Sequence, residues 1–216
     1  MKKLLYILII VIALSLISFF GFKTYKKMAL ANEPIEISGT YLEKPRMITP
    51  FSLKKANGMN FDDTSLMDHW SLVFFGYTRC PDICPRALEM LNKFYSTFKK
   101  IPEVNKDDLP EVVFISVDTN RDDLEQLQEF TNRFNKGFIG VSGEQNQIAN
   151  LARNLGVVYK QISVGEDNEN YLFDHSSTIY VINPKGELQA LFTAPHNPEV
   201  ISSQLKQIID RHKLLS

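Results

Sequence analysis

The stretch FFGYTRCPDICPRALEML, Phe74 to Leu91, contains both cysteines of the 216-residue chain, Cys80 and Cys84, each followed at once by a proline. Two thiols with three residues between them admit three chemistries: a structural disulfide, a redox couple, or two soft ligands of a metal ion. A disulfide across so short a loop removes little entropy from the unfolded chain and stabilises only modestly. Dithiol oxidoreductases normally separate their cysteines by two residues, and a peroxide-reducing cysteine wants threonine three places before it, where Tyr77 stands. The metal reading leads, and the redox reading stays beside it.

The prolines constrain the spacer. Within a helix Pro85 would lose a backbone hydrogen bond, and a residue preceding proline is pushed out of the α region, so Pro-Asp-Ile reads as a loop. Pro85 fits the first position of a following helix, where no N–H is needed. Cys84 is then at or next to the N-cap, where the helix dipole favours thiolate; Arg79 and Arg86 push the same way, and an acidic Cys84 is expected.

A metal needs more ligands, and the chain has four histidines. His212 falls on the polar side of the closing helix, His69 precedes the strand that leads to the cysteines and so belongs at its far end, and His196 suits a turn beside a helix start. His175, in YLFDHSSTIYV, stands just before a late strand. In a thioredoxin-like topology the loop there crosses the reactive cysteines and normally carries a cis-proline. Here no proline occurs between Pro110 and Pro184, which leaves the position open for a ligand. Two thiolates hold Cu(I) and an imidazole helps retain Cu(II). Zinc is the rival for such a set, but a closed structural zinc site wants a fourth protein ligand, and none is evident.

The elements that must position these residues alternate. WSLVFFGY (70–77) and EVVFISVD (111–118) are short apolar runs of the kind buried on both faces, and GFIGVSG (137–143) is a third. Helices are expected after the cysteines, over 122–134, and over 145–155 up to Gly156. FSLKKANGMNF reads as a hairpin with a type I′ turn at Asn57-Gly58, VVYKQISV as an edge strand, and GEDNEN (165–170) as a solvated loop. STIYVINPKGELQALFT gives two antiparallel strands across Pro-Lys-Gly, and a helix opened by Asn197 and Pro198 closes the chain. The fold class expected is α/β: a thioredoxin-like mixed sheet flanked by helices, with an N-terminal transmembrane anchor.

The anchor rests on LLYILIIVIALSLISFFGF, Leu4 to Phe22, nineteen uncharged residues spanning about 28 Å as a helix, close to the hydrocarbon thickness of a bilayer. Lys23, Lys26 and Lys27 separate this run from the small-residue triplet at 29–31, which favours an anchor over a signal peptide cleaved after Ala31. The absence of arginine before Arg46 argues against a mitochondrial transit peptide and for a prokaryotic membrane protein. The expected division is an anchor over 1–27, a linker over 28–45 and the domain over 46–216. Five of the 24 basic residues lie in the first 32 positions, leaving 19 basic against 25 acidic residues elsewhere. No phosphate-neutralising patch stands out, which argues against a nucleic-acid partner.

FFGYTRCPDICP (74–85), ISVDTNRDD (115–123) and DHSSTIYVINPKGEL (174–188), in this order, resemble the Sco/SenC family of copper-binding, thioredoxin-like assembly factors for cytochrome c oxidase. The resemblance covers roughly 45–215 and implies Cys80, Cys84 and His175 as ligands of Cu(I) or Cu(II). It also implies Asp118 and Asp174 as residues supporting the site, although DTNRD departs from the family, which has proline after that first aspartate. The activity implied is a copper relay, from a donor protein to the dinuclear centre of oxidase subunit II, by a chain anchored in the bacterial inner membrane with its domain facing the periplasm or cell exterior. A thiol-disulfide oxidoreductase acting on the oxidase subunit's cysteines is the alternative, and a redox or copper sensor a third.

Overall fold

The computed structural model describes residues 34–164 and 171–215, with residues 3, 6, 11, 12, 14–22, 24 and 25 of the N-terminal stretch. In chain order the elements are β1 (Gly39–Met47), β2 (Ser52–Lys55), β3 (Asn60–Asp62), β4 (Ser71–Gly76), α1 (Ile83–Phe98), β5 (Glu111–Ser116), α2 (Leu124–Asn132), β6 (Ile139–Ser142), α3 (Gln145–Leu155), β7 (Tyr159–Ser163), β8 (Tyr171–His175), β9 (Ile179–Ile182), β10 (Glu187–Phe192) and α4 (Pro198–Leu215). Two compact units are distinguished: Glu36–Leu205, which holds every strand, and Met1–Ile35 with Lys206–Ser216.

The main sheet runs β1-β10-β9-β4-β5-β6-β2-β3, and β7 pairs with β8 outside it. β4 lies inside the sheet, parallel to β5 and antiparallel to β9, and all six of its residues are buried, as its unbroken apolar run requires. On one face Phe74 stacks on Phe114, and Phe114 meets Phe130 of α2. On the other Phe75 stands edge-on to Tyr180.

The parallel pair brings the ends of β4 and β5 to one edge. β9 runs the other way, with Ile179 opposite Phe74, so the chain just before β9, ending β8 at His175, returns to that edge. Topology alone therefore gathers the residues after 76, after 116 and before 179.

Several expectations shift. β1 takes up Gly39 to Met47, reaching back into the stretch expected as linker over 28–45. It is an outermost strand with an irregular register between Tyr41 and Arg46, around Pro45, and an edge is where proline is tolerated in a sheet. The hairpin at 52–62 forms, but only Gly58 adopts a positive φ, at 83°, with Gly58 N–H donating to Lys55 O. Its turn is thus a three-residue loop ending on a left-handed glycine rather than type I′. The solvated loop expected at 165–170 lies outside the described residues.

The anchor expected over 4–22 falls partly outside them too. Residues 14–22 are helical, with Leu14, Ile17, Phe19, Phe20 and Phe22 each more than 60% exposed. Among the described residues no helix is long and apolar enough to cross a membrane.

Candidate metal centre

The site is built on the passage from β4 into α1. α1 begins at Ile83, two residues earlier than the prolines suggested, so Cys84 is inside the first turn and Pro85 one place further on. Proline is accepted there because the first-turn amides have no intrahelical acceptor. Neither cysteine is in a disulfide, and the N–H of Cys84 donates to Cys80 Sγ at 3.4 Å, so the two residues fold onto one another.

Both thiols are enclosed, Cys80 at 8% exposure and Cys84 at 0%. This overturns the expectation of an acidic Cys84: burial first, then Cys80 beside it, push its thiol well above the ordinary value, against a backbone hydrogen bond from Tyr77 that favours the thiolate. Magnitudes explain the outcome. A helix terminus contributes about 0.3–1 kcal/mol at exposed sites, whereas full desolvation can shift a thiol by up to about 3–5 pH units.

Gly76 makes the packing possible. A Cβ there would lie 2.6 Å from Cys84 Sγ and 2.8 Å from the Phe114 ring. Gly76→Ala is therefore expected to destabilise the domain by about 1–3 kcal/mol, the usual cost of overpacking, read as a lower midpoint in thermal unfolding. An unchanged midpoint would mean that Cys84 and Phe114 yield freely.

The loop between β4 and α1 is held by an aspartate that the sequence reading passed over as a helix start. Asp122, 3% exposed, accepts from Thr78 N–H at 2.8 Å, from Thr78 Oγ1 at 2.6 Å and from Ser116 Oγ at 2.6 Å. Thr78 stands two residues before Cys80, so this carboxylate ties the cysteine loop to the end of β5. α2 starts later than expected, at Leu124, with Asp123 as its N-cap accepting from Gln126 N–H at 2.8 Å.

Asp118 is also buried, at 1% exposure, but its carboxylate engages Arg121 Nε at 2.6 Å and the Tyr171 hydroxyl at 2.8 Å. Its charge and burial together push the Tyr171 hydroxyl upward, burial most. Asp174 is exposed and lies across from Lys160, on the alternate strand phase from position 175. Of His175 the backbone is described: it ends β8 opposite Tyr159, in phase with Phe173 and Tyr171. Phe173 packs edge-on against Tyr77 with ring centroids 5.4 Å apart, which brings β8 against the start of the cysteine loop. Among the described residues no group of three or more His, Cys, Asp and Glu converges as a metal set, so the two thiols are the described part of the expected site.

His69 and His196 lie where expected, at the far end of β4 and in the turn before α4. His69 Nε2 is 3.2 Å from the Glu111 carboxylate at the opposite end of β4; the pairing raises the imidazole and lowers the carboxyl. His196 Nε2 meets the carbonyl of Ser177 at 2.5 Å. It lines a cleft of about 360 Å³ beside the cysteine loop, with Ile83, Arg86, Met90 and Ser177 among the other walls.

Enclosed, closely spaced sulfurs with few hard donors beside them fit a soft monovalent metal better than a hard divalent one. A family model described as SCO1/SenC matches residues 39–210. A SCO2-like protein of Rickettsia prowazekii is 36% identical over 152 residues, 70% of this chain and 72% of its own. Among solved structures, Arabidopsis thaliana ScoI with copper bound aligns at a TM-score of 0.68 and 31% identity, covering 76% of this chain and 99% of that one. Bradyrhizobium japonicum ScoI with copper bound aligns at 0.65 and 30%, covering 75% and 99%.

Proposed function

Since the chain belongs to the SCO1/SenC family, with its α/β, thioredoxin-like fold, we propose that it is a copper carrier of cytochrome c oxidase assembly. It takes copper on Cys80, Cys84 and His175 and passes it by ligand exchange to the dinuclear copper centre of oxidase subunit II. The observation that carries this reading is the enclosed pair of thiols, with the N–H of Cys84 on Cys80 Sγ at 3.4 Å, at the sheet edge to which the strand ending in His175 returns.

Copper is cargo in this reading, so it must be held by sulfur in one oxidation state and released in another setting. Reduced thiols bind Cu(I); the imidazole adds hold on Cu(II). Oxidation to a Cys80–Cys84 disulfide removes both sulfur ligands, so the redox state of the pair gates loading. Leu4 to Phe22 serves as a single membrane anchor, supported by its exposed apolar side chains where they are described. The domain then faces the periplasm or cell exterior, beside the oxidase in the same membrane.

The test is copper stoichiometry and the spectrum of bound Cu(II), for the reduced full-length chain and for His175→Ala. One copper per chain is expected, with Cu(II) binding weakened about a hundredfold or more by the substitution, roughly 3 kcal/mol or above. The reduction potential of the dithiol is expected to stay within about 30 mV, a tenfold change in that equilibrium. Copper binding that survives His175→Ala intact rules out the three-ligand site. The contact between the two thiol side chains also favours a second reading, a thiol-disulfide oxidoreductase that reduces the oxidase subunit's cysteines. Turnover of a disulfide substrate without measurable copper affinity would select it.

A further inference from the structure

The strand that ends in His175 belongs to a two-stranded ribbon, β7 with β8, outside the main sheet. Such a ribbon is marginal by itself and needs anchoring. Its outer positions give it little: Val158, Ile162, Val164 and Leu172 are all at least 40% exposed. Its opposite phase carries three aromatic residues, with Tyr171 and Phe173 edge-on at 5.6 Å and Phe173 meeting both Tyr159 and Tyr77.

Polar contacts also stand within this packing: Gln145 Nε2 donates to the Tyr159 hydroxyl at 3.0 Å, and a larger cluster forms at Tyr171. The Tyr171 hydroxyl donates to Asp118 Oδ1 at 2.8 Å, while Arg121 Nε donates to Asp118 Oδ2 at 2.6 Å. The Arg121 guanidinium also lies over the Tyr171 ring, 3.5 Å from its centroid. The three side chains close on one another: carboxylate to hydroxyl, carboxylate to guanidinium, guanidinium to ring. Asp118 and Arg121 follow β5 in the main sheet, Tyr171 opens β8, and four residues later β8 reaches His175.

We infer that Asp118, Arg121 and Tyr171 form a latch that fixes the β7–β8 ribbon to the end of β5 and so sets how firmly His175 is presented to the two thiols. These are positioning residues: they act through the strand, and none of them holds the metal. The copper consequence rests on the three-ligand reading; the anchoring rests on the contacts alone. Because imidazole matters more to Cu(II) than to Cu(I), the latch discriminates between the two states of the cargo.

Tyr171→Phe tests this in the full-length chain, since it removes one oxygen and keeps the ring against Phe173 and Arg121. Hydrogen exchange of the copper-free protein is expected to speed up about tenfold at the β7 and β8 amides and to stay unchanged in β4 and β5. Cu(II) affinity is expected to fall about tenfold with a weakened thiolate-to-Cu(II) absorption, while Cu(I) affinity stays within about twofold. In the cycle with His175→Ala, the double variant is expected to lose no more Cu(II) affinity than His175→Ala alone. Unchanged exchange in the ribbon overturns the latch whatever copper does. Faster exchange with His175→Ala leaving Cu(II) untouched overturns the three-ligand reading and the copper consequence but keeps the anchor. Additive losses, or equal losses for Cu(I) and Cu(II), overturn the action through His175.

Discussion

Serine in place of Cys84 is expected to lower Cu(I) affinity by at least about a thousandfold, roughly 4 kcal/mol, with the fold retained. The hydroxyl does not ionise near neutral pH, and its oxygen is a hard ligand that cannot replace a thiolate on a soft ion. The fold tolerates the change because Cys84 is crowded, with its sulfur 2.6 Å from where a Cβ at position 76 would stand, and oxygen is the smaller atom. Burying the hydroxyl costs on the order of 1–3 kcal/mol, a few degrees in the unfolding midpoint. pH adds an independent check. Burial holds the proton on Cys84, so Cu(I) must displace it, and the apparent affinity of the wild type rises with pH. That single proton contributes about tenfold per pH unit below the thiol's raised value, and the serine variant loses its share of the slope. Competition titrations against a Cu(I) chelator at several pH values measure both. A variant that binds Cu(I) as tightly as the wild type would place the metal elsewhere.

The position of Cys84 was legible from the two prolines, but its protonation was not. Loop and helix start are local properties, and the prediction missed the helix boundary by two residues because proline is accommodated anywhere in a first turn. The thiol's environment is set by Gly76 and Phe114, which adjoin Cys84 only through the crossing of β4, β5 and α1. Sequence gives the dipole and the flanking arginines; burial comes from packing, and burial dominates. Asp118 shows the same division. A place near the site is what the family resemblance implied for it; Tyr171, which engages it, is 53 residues further along the chain and out of reach of any local pattern.

The sheet divides by strand type. β4, β5 and β9 are buried along their whole or nearly their whole length, and their continuous apolar runs announce them. β1 has no such run, because a strand paired on one side with both faces largely exposed carries polar residues and a proline. β8 falls in the stretch expected as the loop before the late strand, since five residues ending in Asp-His have no alternation strong enough to mark a ribbon of their own. What holds that ribbon down is the contact of Phe173 with Tyr77 and of Tyr171 with Asp118 and Arg121, again beyond the reach of local pattern.

Asp122→Ala is expected to be the most damaging single change outside the ligands, costing about 3 kcal/mol or more of stability. It leaves the Thr78 amide and the Thr78 and Ser116 hydroxyls without their acceptor, each loss worth about 1–3 kcal/mol where water cannot replace it. The damage is directional. The loop from Thr78 to Cys80 is freed from the end of β5, so copper affinity is expected to fall by more than the stability loss alone accounts for, while α1 and the sheet keep their contacts. Asp122→Asn separates the causes. Its oxygen can still accept from the Thr78 amide and Ser116, and its NH2 can donate to the Thr78 hydroxyl, which reverses its role without moving. Only the charge assistance is lost, about 1 kcal/mol. Denaturant midpoints and Cu(I) affinities for both variants decide it. If asparagine proves as harmful as alanine, the charge rather than the hydrogen-bond count supports the loop. If alanine is harmless, Thr78 is held by something other than Asp122.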